Sequence, residues 1–346
     1  MNRKVRHSVK SLRELRTAEE GELVTSLKRL LLTILWEALG ISLLVGFVLL
    51  ISTMPPLQIT PSTESMTGYA VKVDTRVWKE TVTNYYKTVR AGSLGVDRSG
   101  NPVGELLRTR MANSLKLMGI SLALAVVLGA IKGVRDFNTL RRGRVGLGPV
   151  ITGLVQGIPD FWLVLLIQVG GVMLYYHWNW RPFPIAWMDD QPVRSMVYPV
   201  FCLSLIPMAY VARITSAAMT SVYEKEYVRT ARAKGLAEFT VIYGHVVRSA
   251  LVQILDGLPN ALAVMFSNLL IIEYMFHFPG ITFLLKDAAN PLGATWVDPR
   301  FPPPRPDVPV LVATGVTLGL VFALLYFLIT IIRPLVDPRL KERESE

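Results

Sequence analysis

The chain has 346 residues, 51% of them hydrophobic, a mean hydropathy of +0.39 and a formal charge of +11. That hydropathy lies above what a soluble domain carries, and a single cysteine, Cys202 within an apolar run, excludes a disulfide framework and a cysteine-based metal site. The charge suits either nucleic-acid binding or a membrane protein whose cytoplasmic loops gather Lys and Arg, and its distribution decides between them.

In chain order, residues 1–29 form a basic extension with eight Lys and Arg, in which Val5, Val9, Leu12 and Leu15 recur near helical spacing. Residues 30–51 are the first apolar run, about 33 Å long as a helix and so long enough to cross a hydrocarbon core of roughly 30 Å. The basic region is long for a signal peptide and no small-x-small cleavage site follows Ile51, so an uncleaved span is expected. Residues 52–110 are polar, with Pro55-Pro56 and several glycines, and their local structure is not fixed by the sequence. Further apolar runs cover 111–131, 150–176, 195–219, 255–275 and 308–332. The expected fold is an all-α integral membrane protein with six transmembrane helices and both termini on one side. It divides into the extension (1–29), the first helix with its outer loop (30–110), and a core transmembrane domain (111–346) carrying a loop at 220–257.

The two short loops orient the chain: 132–149 carries five Lys and Arg, including Arg141, Arg142 and Arg144, against two in 177–194. Positive residues favour the cytoplasmic side of short loops, so both termini are expected in the cytoplasm. Spread over several loops in this way, the charge argues for a lipid bilayer and against nucleic acid as the partner.

Between the fourth and fifth runs lies Tyr223-Glu-Lys-Glu-Tyr-Val-Arg-Thr-Ala-Arg-Ala-Lys-Gly-Leu-Ala-Glu238, continuing to His245 and Ala250. Residues 224–234 contain neither Pro nor Gly and are rich in good helix formers. Gly235 stands where such a helix needs a C′ residue with positive φ. The residues spell a short polar helix, a glycine stop and a second helix leading back into apolar sequence. On this ground alone the segment reads equally as a docking piece or as a solvated basic loop.

Catalytic signals are absent. The dipeptide Gly-Lys, and with it a P-loop, does not occur. The four His (His7, His177, His245, His277) show no ligand spacing. No enzymatic site, cofactor or metal is expected in this chain, and no substrate-binding residue stands out. Glu37, about 10 Å into the first run, reads either as facing a pathway or as an interfacial carboxyl. Lys116 and Arg213, near span ends, read as snorkelling side chains. Glu273, closing the fifth run, is either interfacial or fixes the outer loop. Pro159, Pro207 and Pro259 bend helices or mark non-helical turns.

Tyr227-Val-Arg-Thr-Ala-Arg-Ala-Lys-Gly235, with His245 and Ala250 after it, resembles the cytoplasmic "EAA" loop of ABC importer permeases, in the version found in the dipeptide/oligopeptide/nickel family. Further matches run in order: Gly92-Ser93, Pro102-Val103, Asn113-Ser-Leu115, Ile158-Pro-Asp-Phe161, Tyr210-Val-Ala-Arg213, Glu273-Tyr-Met-Phe276, Pro279-Gly280 and Asp337-Pro-Arg339. The resemblance covers about residues 90–340. Departures are the long basic extension, the first span, Ser267-Asn-Leu-Leu-Ile-Ile272, where small residues with Gly are the family pattern, and the prolines of 302–309.

The resemblance implies a type I permease fold in the cell membrane, importing di- or oligopeptides, with nickel or another small solute as the alternative. An ion-coupled secondary transporter is the more distant one. The implied partners are a second homologous permease, two cytoplasmic ATPase subunits that bind the ATP, and an extracytoplasmic solute-binding protein. It also implies ATPase coupling through Glu226, Tyr227, Val228, Arg229, Ala231, Arg232, Ala233, Lys234, Gly235 and His245. Within that set, Tyr227, Val228 and Ala231 would pack into a partner groove, Arg229, Arg232 and Lys234 would meet acidic or carbonyl groups, and Gly235 would set the angle between the two helices.

Overall fold

The computed structural model describes residues 35–36, 39–40, 42–43, 57–61, 69–73, 75–143, 146–289 and 307–336. The basic extension, most of the first span with Glu37, the prolines of 302–306 and Asp337-Pro-Arg339 lie outside the described residues.

In the outer loop, strands β1 (Leu57–Pro61) and β2 (Tyr69–Val73) pair antiparallel with Leu57 opposite Val73, and helix α1 (Thr75–Arg90) follows. The sequence does not assign a structure to this loop, and the hairpin is a small β exception among otherwise helical described elements. The remaining elements are α2 (Val103–Arg141), α3 (Leu147–Gly157), α4 (Asp160–Trp178), α5 (Val197–Tyr223, preceded by a single turn at Pro192–Ser195) and α6 (Glu226–Ala233). Then come α7 (Glu238–Met275, π-helical over Val241–Val247), α8 (Ile281–Ala289) and α9 (Val308–Val336).

Among the described residues five helices are long and apolar enough to cross a membrane: α2, α4, α5 with its preceding turn, α7 and α9. These correspond to the second to sixth apolar runs. The third run, read as continuous over 150–176, is corrected. It breaks at Ile158 and Pro159, whose ψ values of 131° and 139° are extended, so α3 stops and the span begins at Asp160. Proline clashes with a helical residue before it and lacks an N–H, while its carbonyl accepts from Trp162 and Leu163 to start α4. Pro207 and Pro259, by contrast, lie inside unbroken helices.

The 39 residues of α2 extend about 58 Å, nearly twice the hydrocarbon thickness, so part of the helix stands outside the hydrocarbon layer. Along its middle α2 lies directly on α5. A Cβ at Gly129 would come within 2.7 Å of the Met208 carbonyl oxygen, and one at Gly133 within 2.5 Å of Thr215 Cβ, so only glycine permits this approach. Three apolar clusters are distinguished, named for the sides that the charge of the short loops assigns. An outer one joins Val103 and Leu107 to Ile281, Leu284 and Val310. A central one is built on Leu117, Leu203, Met265 and Phe276, and a cytoplasmic one on Phe137, Met219, Val222 and Val246.

Candidate functional site

The cytoplasmic cluster is closed by α6. Lys225, extended at ψ 147°, starts the helix, and Glu226 sits in its first turn, where a carboxylate suits the positive end of the helix dipole. At the other end the Gly235 N–H donates to the Arg232 carbonyl (2.9 Å) and the Leu236 N–H to the Ala231 carbonyl (3.4 Å), with Gly235 at φ +77°. This is a Schellman stop, and it turns the chain into α7 as the sequence predicts.

Helical spacing then sorts the sequence-expected residues onto two faces. Val228 and Ala231 point into the protein, packed with Met219, Val222, Val241 and Val246. Their expected place in a partner's groove is therefore corrected for both. The apolar stripe of this two-turn helix is consumed in sealing its own core, together with Phe137 of α2. Arg232 is turned inward as well, with its Cζ 3.7 Å from the centre of the Tyr223 ring. Left exposed are Glu226, Tyr227, Arg229, Ala233, Lys234 and Gly235, with Glu226 and Arg229 paired at 2.9 Å. Beyond the stop, Leu236, Phe239 and Tyr243 continue the exposed surface with apolar area. His245 is exposed on the π-helical turn, away from the run of α6 itself.

Behind this face is a polar knot that local sequence spacing does not reveal. Arg141, the last residue of α2, forms an ion pair with Glu238, the first of α7. Tyr223, the last of α5, donates its hydroxyl to Glu238 Oε1 (2.9 Å) and accepts from Arg141 Nη1 (3.1 Å). Phe137 meets the same ring in a T-shaped contact at a centroid distance of 5.3 Å. Arg141 Nε and Arg232 Nε and Nη2 are buried without a hydrogen-bond partner among the described residues. Such donors cost about 1–3 kcal/mol each, a cost that stacking on Tyr223 offsets in part. Beside the knot opens a cleft of about 510 Å³, with Arg135, Arg142, Phe239 and Tyr243 on its walls. A second network holds α3 to α2: Lys132 Nζ donates to Asp136 Oδ2 (2.7 Å), to the Gly148 carbonyl (2.9 Å) and to Thr152 Oγ1 (2.5 Å).

At the opposite end of α7, Glu273 fixes the outer loop. Its carboxylate accepts from Ser114 Oγ (2.5 Å), Thr282 Oγ1 (2.6 Å), the Thr282 N–H (2.8 Å) and the Phe283 N–H (3.1 Å). It thereby caps the N-terminus of α8, while Ser114 Oγ accepts from the Ile281 N–H (2.8 Å). Asn113 completes the junction by donating to the Pro279 carbonyl (3.0 Å). Within the bundle, Asp160 at the start of α4 and Asn268 of α7 line the same small pocket. Among the described residues no three His, Cys, Asp or Glu side chains stand close enough to hold a metal ion.

Residues 117–342 match the family described as binding-protein-dependent transport system inner membrane component. A putative peptide transport system permease protein of Brucella suis biovar 1 (strain 1330) is 29% identical over 245 residues, covering 69% of this chain and 72% of that protein. The dipeptide transport system permease protein of Bacillus subtilis (strain 168) is 29% identical over 264 residues, covering 74% and 77%. A crystal structure of an amino acid ABC transporter with histidines overlaps 68% of this chain and 94% of that one at 16% identity and a TM-score of 0.48, too loosely to add to the assignment. With its multi-pass helical core and a family match over most of its length, the chain belongs to the binding-protein-dependent transport system inner membrane components, the permease subunits of ABC importers.

Proposed function

We propose that the exposed face of α6, together with the elbow at Gly235, is where cytoplasmic ATPase subunits drive this permease, and that its cargo is di- or oligopeptides. The observation that carries the first part is the division of α6 into two faces. Val228 and Ala231 anchor the helix to the core, so Glu226, Tyr227, Arg229, Ala233 and Lys234 are presented on a fixed, exposed surface. A mobile basic loop would offer no such surface, whereas an anchored helix about 12 Å long passes a displacement directly to α5 and α7. Packed helices shift between discrete arrangements, so the displacement becomes a change of tilt in the bundle. In this reading ATP is bound and hydrolysed by the partners and this chain carries no cofactor. A second homologous permease completes the pathway across the cytoplasmic membrane, and a binding protein outside delivers the solute. The peptide cargo is supported by the relatives whose names specify peptide or dipeptide transport.

Purified complex reconstituted in vesicles tests both parts. Uptake of a labelled dipeptide is expected to require ATP on the cytoplasmic side, and Arg229→Glu with Lys234→Glu is expected to strip the ATPase subunits from the complex. ATPases that stay bound to that variant contradict the docking face. Uptake of nickel in place of peptide contradicts the cargo and leaves the docking face standing.

A further inference from the structure

Force applied at α6 enters the membrane along two arms, α5 and α7, joined through the short stretch around Gly235. A joint of this kind has a weakness, because a push on α6 can carry both arms together or merely change the angle between them. What fixes the angle lies off the joint. α2 and α5 approach too closely at Gly129 and Gly133 to slide independently, so α2 and α5 form one piece. From the cytoplasmic end of that piece Arg141 pairs with Glu238 at the start of the other arm. Tyr223 sits between them, hydrogen-bonded to both, and its ring carries Arg232 of α6 on its face and meets Phe137 of α2 in a T-shaped contact. One side chain of α5 thus touches α2, α6 and α7 at once.

We propose that Arg141, Tyr223 and Glu238 form a brace that makes the α5–α6–α7 elbow turn as a rigid body, so that ATPase movement tilts the spans instead of flexing the chain at Gly235. The three act as positioning residues, touching neither solute nor nucleotide, and the proposal rests on α6 being the docking face. Arg141 and Glu238 are 17% and 46% exposed at the side chain. An isolated pair of that kind contributes little. The brace works through geometry instead: three groups from three elements share one hydroxyl and one carboxylate oxygen, and networks of this sort modulate coupling between distant sites.

The test uses the intact reconstituted complex and the ratio of solute moved to ATP hydrolysed. Arg141→Glu is expected to retain the ATPase subunits and their hydrolysis while lowering the ratio by about tenfold. Glu238→Arg is expected to do the same, and the double exchange Arg141→Glu with Glu238→Arg to restore most of it. Tyr223→Phe removes the shared hydroxyl but keeps the ring, so its loss is expected to be smaller. Distances between spin labels at the exposed positions 220 and 248 should spread in each charge variant and narrow again in the double exchange. A ratio and distance spread unchanged in the single variants overturn the brace, as does a double exchange that restores neither. The control Arg229→Glu with Lys234→Glu separates the two ideas. If it keeps the ATPases, the docking face falls. If it loses them while Arg141→Glu leaves ratio and distances unchanged, the brace alone falls.

Discussion

The two ends of α7 are both junctions between helices, and they are built in opposite ways. At the outer end the polar groups are interior: Glu273 is fully buried, and both its oxygens are engaged by Ser114 and by the first residues of α8. At the cytoplasmic end Glu238 is 46% exposed at its side chain, Arg141 is 17% exposed, and three buried guanidinium nitrogens nearby have no hydrogen-bond partner among the described residues. A satisfied buried network specifies one geometry and resists change. A partly exposed one holds a geometry in the resting chain and can be met from outside. The outer junction is built for stability, the inner one suits the movement proposed for it, and substitutions can break the contrast at either end.

The largest expected effect is at the outer junction. Glu273→Ala leaves two backbone N–H groups and two hydroxyls without their acceptor in a closed site, and an unsatisfied buried group costs about 1–3 kcal/mol. The variant is expected to lose at least about 3 kcal/mol, read as a large fall in thermal midpoint in detergent or as failure to accumulate in the membrane. A variant as stable as the parent would mean that the clasp is not what holds α8.

Next comes Val228→Asp, which puts a carboxylate into the cytoplasmic cluster. Burial of an unpaired charge costs several kcal/mol, whereas Val228→Ala is expected to cost about 2 kcal/mol. Both should lower the stability of the permease purified without ATPase subunits. Were Val228 seated in a partner's groove, the isolated permease would be indifferent to either change. Gly235→Asp is smaller in stability, about 1–2 kcal/mol for a side chain at φ +77°, yet it is expected to abolish uptake while leaving membrane insertion intact, because it changes the angle between the arms. The smallest expected effect on stability is that of Arg229→Ala, within about 0.5 kcal/mol for an exposed residue. Its expected consequence is weaker ATPase attachment with a reduced dependence on salt.

Much of this was legible in sequence, for identifiable reasons. Apolar runs long enough to span marked α2, α4, α5, α7 and α9, because backbone groups in lipid must be satisfied within the helix. Gly235 was legible because a helix stop of this type favours glycine for a local reason. The break at Ile158-Pro159 was visible only as a proline that could bend or end a helix, and hydropathy runs straight across it. The facing of α6 was misread at Val228 and Ala231, since an apolar residue on an amphipathic helix looks the same whether it meets its own core or a partner. Arg141 was counted as one of the loop's positive charges. Its pairing with Glu238 joins residues far apart in the chain, and no spacing rule reaches that far. Glu273 was left open between interface and outer loop, and the four donors gathered on it decide for the loop.

The division of α6 into a buried stripe and a presented face is the claim on which the rest depends. Its most direct test places a photocrosslinking residue in turn at each position from 226 to 234 in the assembled transporter and records which positions form adducts with the ATPase subunits. Adducts at 226, 227, 229, 233 and 234, with none at 228 and 231, are the expected pattern. Adducts concentrated at 228 and 231, or none at any position, would contradict the account.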